Sequence, residues 1–128
     1  QSKSDYSGSI IKIMHEMVVT ENILNIATLH ALHAGAKRVT DIHITIGQLS
    51  SIVDDSVQFY WDMISENTIC QGATLHFSRI PATMVCLECG NEYKLNEDGL
   101  RPCPSCSSFH LKPKTGEEFF LDSIEIVK

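Results

Sequence analysis

The hydrophobic positions of this 128-residue chain first predict a helix followed by a strand. From Val19 to Ala34 apolar residues recur at steps of three and four, and Gly35 then provides a good helix end. From Val39 to Ile46 the pattern changes to strict alternation, with isoleucines on one face and polar residues on the other. The first half of the chain therefore predicts an amphipathic helix that leads into a half-buried strand.

A second helix and two more strands are predicted further along. Asp54 or Asp55 can cap a helix whose apolar stripe consists of Val57, Tyr60, Trp61 and Ile64. Gly72 opens an alternating segment that continues toward Val85, and residues 119–127 alternate again. These elements predict an α+β fold, a small domain with two helices and a three-stranded sheet.

Residues 86–116 differ in character from the rest of the chain. They contain four cysteines, three of the four prolines and few large apolar residues, so they cannot bury enough surface to fold without a metal. Because predicted strands flank them, we interpret them as an inserted zinc-binding domain of the zinc-ribbon type. Residues 14–85 plus 117–128 then form the main domain, and residues 1–13 are interpreted as a disordered leader or tag.

The two cysteine pairs predict the metal and its ligands. Cys86 and Cys89 form one C-x-x-C pair, Cys103 and Cys106 form the other, and thirteen residues separate them, as in tetrahedral zinc sites. Four thiolates leave no coordination position open for water, so the predicted zinc is structural. Iron remains an alternative, because C-x-x-C-G with C-P-x-C also matches the rubredoxin pattern.

The other metal-binding residue types are expected to be structural or solvated. A lone histidine on a helix or strand is more often exposed than ligating, and a single leftover thiol is usually buried. These residues are His30, His33, His43, His76, His110 and Cys70.

Composition and charge exclude several classes of function. A formal charge of −6 argues against nucleic acid as a partner, because phosphate binding needs a basic surface. No apolar run approaches the roughly 20 residues that cross a bilayer. Paired C-x-x-C motifs suit metal binding in a reducing cytoplasm. No nucleophile with an adjacent base and no phosphate-binding glycine loop is recognisable, so we expect a protein that is not an enzyme.

Met14-His15-Glu16 stands directly before the first predicted helix. It is not a zincin motif, because H-E-x-x-H would need a histidine where Val19 stands. Taken alone, His15 is most simply a solvated or capping side chain.

In combination, three features of the chain resemble the hydrogenase maturation nickel metallochaperones, the HypA/HybF family. They are Met14-His15-Glu16 before a helix, the segments Gly47-Gln-Leu-Ser-Ser and Gly72-Ala-Thr-Leu, and the pattern C-x-x-C-G…C-P-x-C before a closing strand. The resemblance covers residues 14–128 in order. The double cysteine pair occurs in many zinc ribbons, so the combination provides the specificity.

The resemblance implies a nickel carrier. In that family the mature protein starts at the methionine of Met-His-Glu and binds Ni²⁺ near that terminus. His15 would supply the imidazole, and Met14 and Glu16 backbone nitrogens, to a square-planar site. Here Ile13 precedes Met14 and its peptide bond removes the free amine. Either residues 1–13 are absent from the working protein, which we favour, or the nickel site is weaker or built differently.

The resemblance also implies the setting in which the chain works. Ni(II) would be cargo and Zn(II) a structural cofactor. A nickel-handling GTPase and the hydrogenase large subunit would be partners in the cytoplasm, without membrane or nucleic acid, and a homodimer is left open. The alternative hypothesis is a zinc-ribbon adaptor that binds another protein without delivering nickel.

Overall fold

The computed structural model of the chain describes residues 2–96 and 98–128, and describes side chains from residue 15 onward. Within that part, two helices and six strands form the α+β fold that the sequence predicts. The helices are α1 (Ser2–His33) and α2 (Asp54–Ile64), and the strands are β1 (Arg38–Gly47), β2 (Thr74–Ile80), β3 (Thr83–Cys86), β4 (Glu92–Lys94), β5 (Leu111–Thr115) and β6 (Phe119–Val127). One three-stranded sheet has the order β2-β1-β6, and a second has the order β4-β3-β5.

The chain divides into two compact units. The first consists of Gln1–Ile44, Ile52–Phe77 and Phe120–Lys128, and the second of Thr45–Ser51 and Ser78–Phe119. Both helices belong to the first unit, and all four paired cysteines belong to the second. That residues 86–116 act as a separate zinc-binding domain, and that residues 1–13 are a leader or tag, stay predictions.

Helix α1 is longer than the periodicity predicts, since it starts at Ser2 rather than near Val19. No proline occurs between these positions, so nothing removes a helical hydrogen bond there. The helix ends as expected at Gly35, where the φ angle is +70°. Hydrogen bonds Ala36 N–Ala31 O (3.0 Å) and Gly35 N–Leu32 O (3.1 Å) form a Schellman motif. No helix in the described ranges is long and apolar enough to span a bilayer.

The core of the first unit follows the predicted stripes. The buried apolar residues of this core include Ile23, Ala27 and Ala31 on α1, Ile42 and Ile44 on β1, and Val57 and Trp61 on α2. Helices α1 and α2 contact each other. The polar residues Glu16 and Thr20 extend the buried side of α1, which the periodicity of apolar residues does not reveal.

The second unit is built around β3. This strand pairs antiparallel with β4, where Met84 faces Tyr93, and with β5, where Cys86 faces Leu111. The alternating run predicted to continue from Gly72 toward Val85 is interrupted after Ile80, because Pro81 has no N–H to donate to a strand ladder. The buried cluster of this unit is Ala82, Met84, Cys86, Tyr93, Leu95 and Cys103.

The packing of Trp61 yields a stability prediction. Its side chain is 1% exposed, whereas Phe59 on the same helix is 61% exposed. Trp61→Ala should lower the free energy of unfolding by about 3–5 kcal/mol, as a large-to-small change in a core does. Phe59→Ala should change it by less than about 0.5 kcal/mol. Urea unfolding followed by circular dichroism measures both, and similar effects for the two variants would show that the phase of α2 is wrong.

Candidate metal centre

Each cysteine pair forms a tight turn held by two backbone hydrogen bonds. In the first turn the N–H of Gly90 donates to the Cys86 carbonyl (2.8 Å) and the N–H of Cys86 donates to the Asn91 carbonyl (2.9 Å). These bonds fold the chain back so that Cys86 and Cys89 present their sulfurs on the same side. A positive φ of 78° at Gly90 closes the turn at no steric cost to a side chain.

The second turn repeats the first, residue by residue. The N–H of Ser107 donates to the Cys103 carbonyl (2.8 Å), and the N–H of Cys103 donates to the Ser108 carbonyl (2.9 Å). Ser107 has a φ of 63°, at the position where the first turn has glycine. The second turn therefore places a side chain in the left-handed region, which costs energy for any residue with a Cβ.

The two turns bring the four predicted cysteines together. Their sulfur atoms all lie within 4.8 Å of one another. The Sγ atoms of Cys86 and Cys106 are 3.5 Å apart, as are those of Cys89 and Cys103. A tetrahedral ion with sulfur ligands at 2.3 Å needs sulfur–sulfur distances of about 3.8 Å. The donor set and its spacing therefore fit one tetrahedral metal ion.

Burial and hydrogen bonding distinguish the four thiols. Cys86 and Cys103 are buried, whereas Cys89 and Cys106 are exposed. Burial raises the pKa of Cys103, but the backbone of Cys106 and Ser105 donates hydrogen bonds that outweigh it and lower that pKa to about 6. For Cys106 the backbone of Ser108 lowers the pKa, yet hydrogen bonding with the neighbouring thiols, Cys86 first, dominates and raises it to about 12. Cys103 thus ionises most readily, and the thiolate is the form that binds metal.

Side chains around the buried thiols hold the cluster in shape. The Asn91 Nδ2 atom donates to the Cys103 sulfur at 3.7 Å. The Tyr93 hydroxyl donates to the Arg101 carbonyl at 2.8 Å, and the Arg101 guanidinium lies 5.1 Å from the centre of the Tyr93 ring. His110 is exposed, and its Nδ1 atom lies 2.9 Å from a carboxylate oxygen of Glu88. The four-ligand cluster itself consists of the cysteines alone.

Comparison with known proteins identifies the family. A family model described as "Hydrogenase/urease nickel incorporation, metallochaperone, hypA" matches residues 14–126. The chain belongs to the HypA family.

Individual HypA relatives agree with this match. The hydrogenase maturation factor HypA of Dehalococcoides mccartyi is 38% identical over 113 residues, which cover 88% of this chain and 94% of the relative. That of Nostoc punctiforme is 40% identical over 114 residues, covering 88% and 96%. The solution structure of the nickel metallochaperone HypA from Helicobacter pylori matches with a TM-score of 0.63 and 21% identity, covering 88% and 97%. That structural likeness supports the fold.

The HypA match begins at Met14, the first of the three predicted nickel residues. The side chain of Met14 lies outside the described residues, and that of His15 is exposed. Glu16 is 2% exposed, and its carboxylate accepts a hydrogen bond from the N–H of Val53 at 2.8 Å. Val53 precedes α2 and provides no side-chain cap of its own. Glu16 therefore performs, from α1, the role that the glutamate of a capping box has within its own helix.

These three residues belong to the first unit, whereas the cysteines belong to the second. The spacing of the cysteines identified them as ligands, whereas the family resemblance implied only a backbone role for Glu16. The prediction that Asp54 or Asp55 caps α2 is wrong, because both lie inside the helix and the residue before it, Val53, has no capping side chain. This uncapped helix start is the indirect signal for the side-chain role of Glu16.

The two turns predict that glycine is the more stable residue at both equivalent positions, so removing it from one turn and adding it to the other should have opposite effects. Gly90→Ala should lower the stability of the metal-loaded second unit by about 1 kcal/mol, because a positive φ is unfavourable for alanine. Apart from its chain neighbours, no described residue has an atom within 4 Å of the added Cβ, so we expect no further steric cost. Ser107→Gly should raise that stability by a few tenths to about 1 kcal/mol, and Ser105→Gly, its neighbour control, should not. The measurement follows metal release to a chromophoric chelator as the urea concentration rises, and compares the midpoint urea concentrations of the variants. A stabilising Gly90→Ala would contradict the equivalence of the turns.

Proposed function

We propose that this chain is a nickel metallochaperone of hydrogenase maturation that binds Ni(II) near Met14-His15-Glu16. Family membership over residues 14–126 is the observation on which the proposal rests. The chain offers two separate donor sets of different chemistry, four thiolates in the second unit and an exposed imidazole beside Met14 in the first. Cargo and structural metal can therefore occupy different places.

We assign Zn(II) to the thiolates of Cys86, Cys89, Cys103 and Cys106. Four thiolates saturate a tetrahedral ion and leave no position for exchange with a partner. Such a site suits a permanent structural ion, and zinc supplies that role without redox chemistry. A cargo ion must be accepted and released, so it needs ligands that are accessible and fewer in number.

The Met14-His15-Glu16 segment meets that need in a chain that begins at Met14. The first four N–H groups of a helix have no carbonyl partner within it. A helix that starts at Met14 would therefore leave a free amine and unpaired amides next to the exposed His15 imidazole. Nitrogen donors of these kinds suit square-planar Ni²⁺. In the chain with residues 1–13 attached, α1 continues through this segment and the amine is a peptide nitrogen.

Glu16 supports this site by fixing its position. Its buried carboxylate is engaged with the N–H of Val53 at the start of α2, so it is not free to turn toward a metal at the surface. We propose that Glu16 contributes a backbone nitrogen, while its side chain anchors the nickel segment on the first unit.

We further propose the working context of the carrier. A GTPase partner would drive transfer, because this sequence has no recognisable phosphate-binding glycine loop, and the hydrogenase large subunit would receive the nickel in the cytoplasm. The chain itself would act as a carrier rather than an enzyme.

A zinc-ribbon adaptor without nickel delivery is the second candidate function. Leu87 in the first cysteine turn is 49% exposed and Phe109 beyond the second is 66% exposed. The backbone of Leu87 donates to the His110 carbonyl at 2.8 Å, so both apolar side chains stand on neighbouring stretches. Exposed apolar side chains beside a metal are suited to protein contact.

The zinc assignment predicts one ion that depends on the paired cysteines. Purified chain should contain about one zinc, and Cys86→Ala or Cys106→Ala should release it and unfold residues 86–116 while helix content largely survives. Cys70→Ala, which removes the thiol outside the cluster, should retain the zinc. Elemental analysis with circular dichroism decides this. If the helical signal is lost together with the zinc, residues 86–116 do not unfold separately from the rest of the chain. Visible charge-transfer absorption would favour iron as the bound metal.

The nickel assignment predicts dependence on the chain start. A chain beginning at Met14 should bind one Ni²⁺ tightly, with the yellow, diamagnetic signature of a square-planar nitrogen site, and the 128-residue chain should bind this ion more weakly or with different geometry. Affinity should fall below about pH 8, where protons compete for the amine and then the imidazole. His15→Ala should abolish this binding without loss of zinc, whereas His33→Ala, at the far end of α1, should not affect it.

Nickel titrations of both chain lengths, with optical spectra and zinc content, measure these outcomes. Equal high-affinity binding by wild type and His15→Ala would remove the proposed site and favour the adaptor. If the long and short chains bind nickel equally, and both lose this binding upon His15→Ala, then His15 is a ligand and the amine of Met14 is not.

A further inference from the structure

Two histidines stack on the exposed face of the sheet in the first unit. His43 on β1 and His76 on β2 have ring centroids 4.7 Å apart and planes inclined by 14°. The two strands are neighbours in the sheet. His43 alternates with the buried Ile42 and Ile44, so its imidazole faces away from the core. Both histidines are expected from the sequence to be structural, and their pairing follows only from the order of the strands in the sheet.

Each of these imidazoles is held by its own carboxylate. The His43 Nε2 atom lies 2.7 Å from Glu125 Oε2, and the His76 Nε2 atom lies 2.7 Å from Asp41 Oδ2. The hydrogen bond with His76 lowers the pKa of Asp41, so that carboxylate is ionised at neutral pH. An Nε2–H that donates to a carboxylate leaves the lone pair of a neutral imidazole on Nδ1.

Carboxylate-held imidazoles are the usual arrangement of metal-binding histidines, because the carboxylate fixes the tautomer and increases ligand basicity. Here two such pairs lie side by side on adjacent strands. Neither Nδ1 atom has a hydrogen-bond partner among the residues whose side chains the structure describes. Imidazole nitrogen suits nickel, copper and zinc ions.

We propose that His43 and His76 form a second, surface site for a borderline divalent cation such as Ni²⁺, with their Nδ1 atoms as ligands and Asp41 and Glu125 as orienting residues. A metal lies in the plane of the ring that binds it, so parallel rings must tilt from their stack to share one ion. The His43 and His76 side chains are 37% and 45% exposed, which leaves room for this rotation.

Two protein ligands leave the remaining coordination positions to water. The ion should therefore exchange readily and bind less tightly than at the four-thiolate site. In a nickel carrier, a role that rests on the proposed function, such a site would take up nickel at the surface. Its existence as a metal site does not depend on that role or on the Met14-His15-Glu16 segment.

The test uses the zinc-loaded 128-residue chain, with no polyhistidine tag added, carrying His15→Ala, which removes the imidazole of the proposed cargo site. Equilibrium dialysis against Ni²⁺ should show about one additional ion per chain. Adding His43→Ala or His76→Ala should each weaken that binding at least about tenfold, and both together should weaken it no further, because either change breaks the chelate. His33→Ala should have no effect. In ¹⁵N-labelled chain, Ni²⁺ should broaden the imidazole resonances of His43 and His76 first.

An orienting role predicts that Asp41→Asn weakens nickel binding about tenfold, while the folded state persists. Unchanged binding in His43→Ala and His76→Ala would overturn the site. So would a loss of half the capacity in each variant, because that indicates two independent histidines in a merely structural stack. No additional nickel in the His15→Ala background, while chain starting at Met14 still binds nickel, would overturn this proposal and leave the proposed function intact.

Discussion

The convergence of four sulfur atoms is the constraint on which the second unit depends. Its buried cluster contains six residues, and Cys86 and Cys103 are two of them. So small a core cannot balance the conformational entropy of the segment by apolar burial alone. The backbone bonds of the two turns preset the sulfur positions, and bonds to a metal would then provide cross-links between β3, which ends at Cys86, and the loop around Cys103.

If the chain carries nickel as proposed, the same constraint requires the cargo to bind elsewhere. A site with four thiolates is closed, and opening it would release the cross-links of the unit that it stabilises. The proposed nitrogen donors at Met14 and His15 would not be needed to hold the fold together, because α1 is already held on α2 by the buried Glu16. Thiolate and nitrogen sets also differ in preference, since thiolate suits zinc and square-planar nitrogen suits nickel. Ligand preference and structural role therefore lead to the same proposed assignment, with zinc at the thiolates and nickel at the nitrogen donors.

Sequence reasoning was strongest where a pattern repeats with a fixed period. Alternation along β1 located its buried isoleucines, and cysteine spacing located the four thiols that the fold brings together. It missed β4 and β5, because three- and five-residue strands are too short to show alternation. It also missed the buried carboxylate of Glu16, since polar residues do not contribute to an apolar stripe. Alternation along the strand predicted that His76 points away from the core. Its contact with His43 could not be predicted, because it depends on which strands are neighbours in the sheet.

In the proposed division of the two metals, thiolates hold the structural ion and nitrogen donors hold the cargo. X-ray absorption at the zinc and nickel edges of one sample, a chain starting at Met14 and loaded with one equivalent of each metal, distinguishes the two sets of ligands. The account predicts four sulfur scatterers at about 2.3 Å from zinc, and only nitrogen or oxygen scatterers around a four-coordinate nickel. Sulfur scattering at the nickel edge, or fewer than four sulfurs around zinc in the nickel-loaded sample, would show that the two ions share the thiolates and would contradict the account.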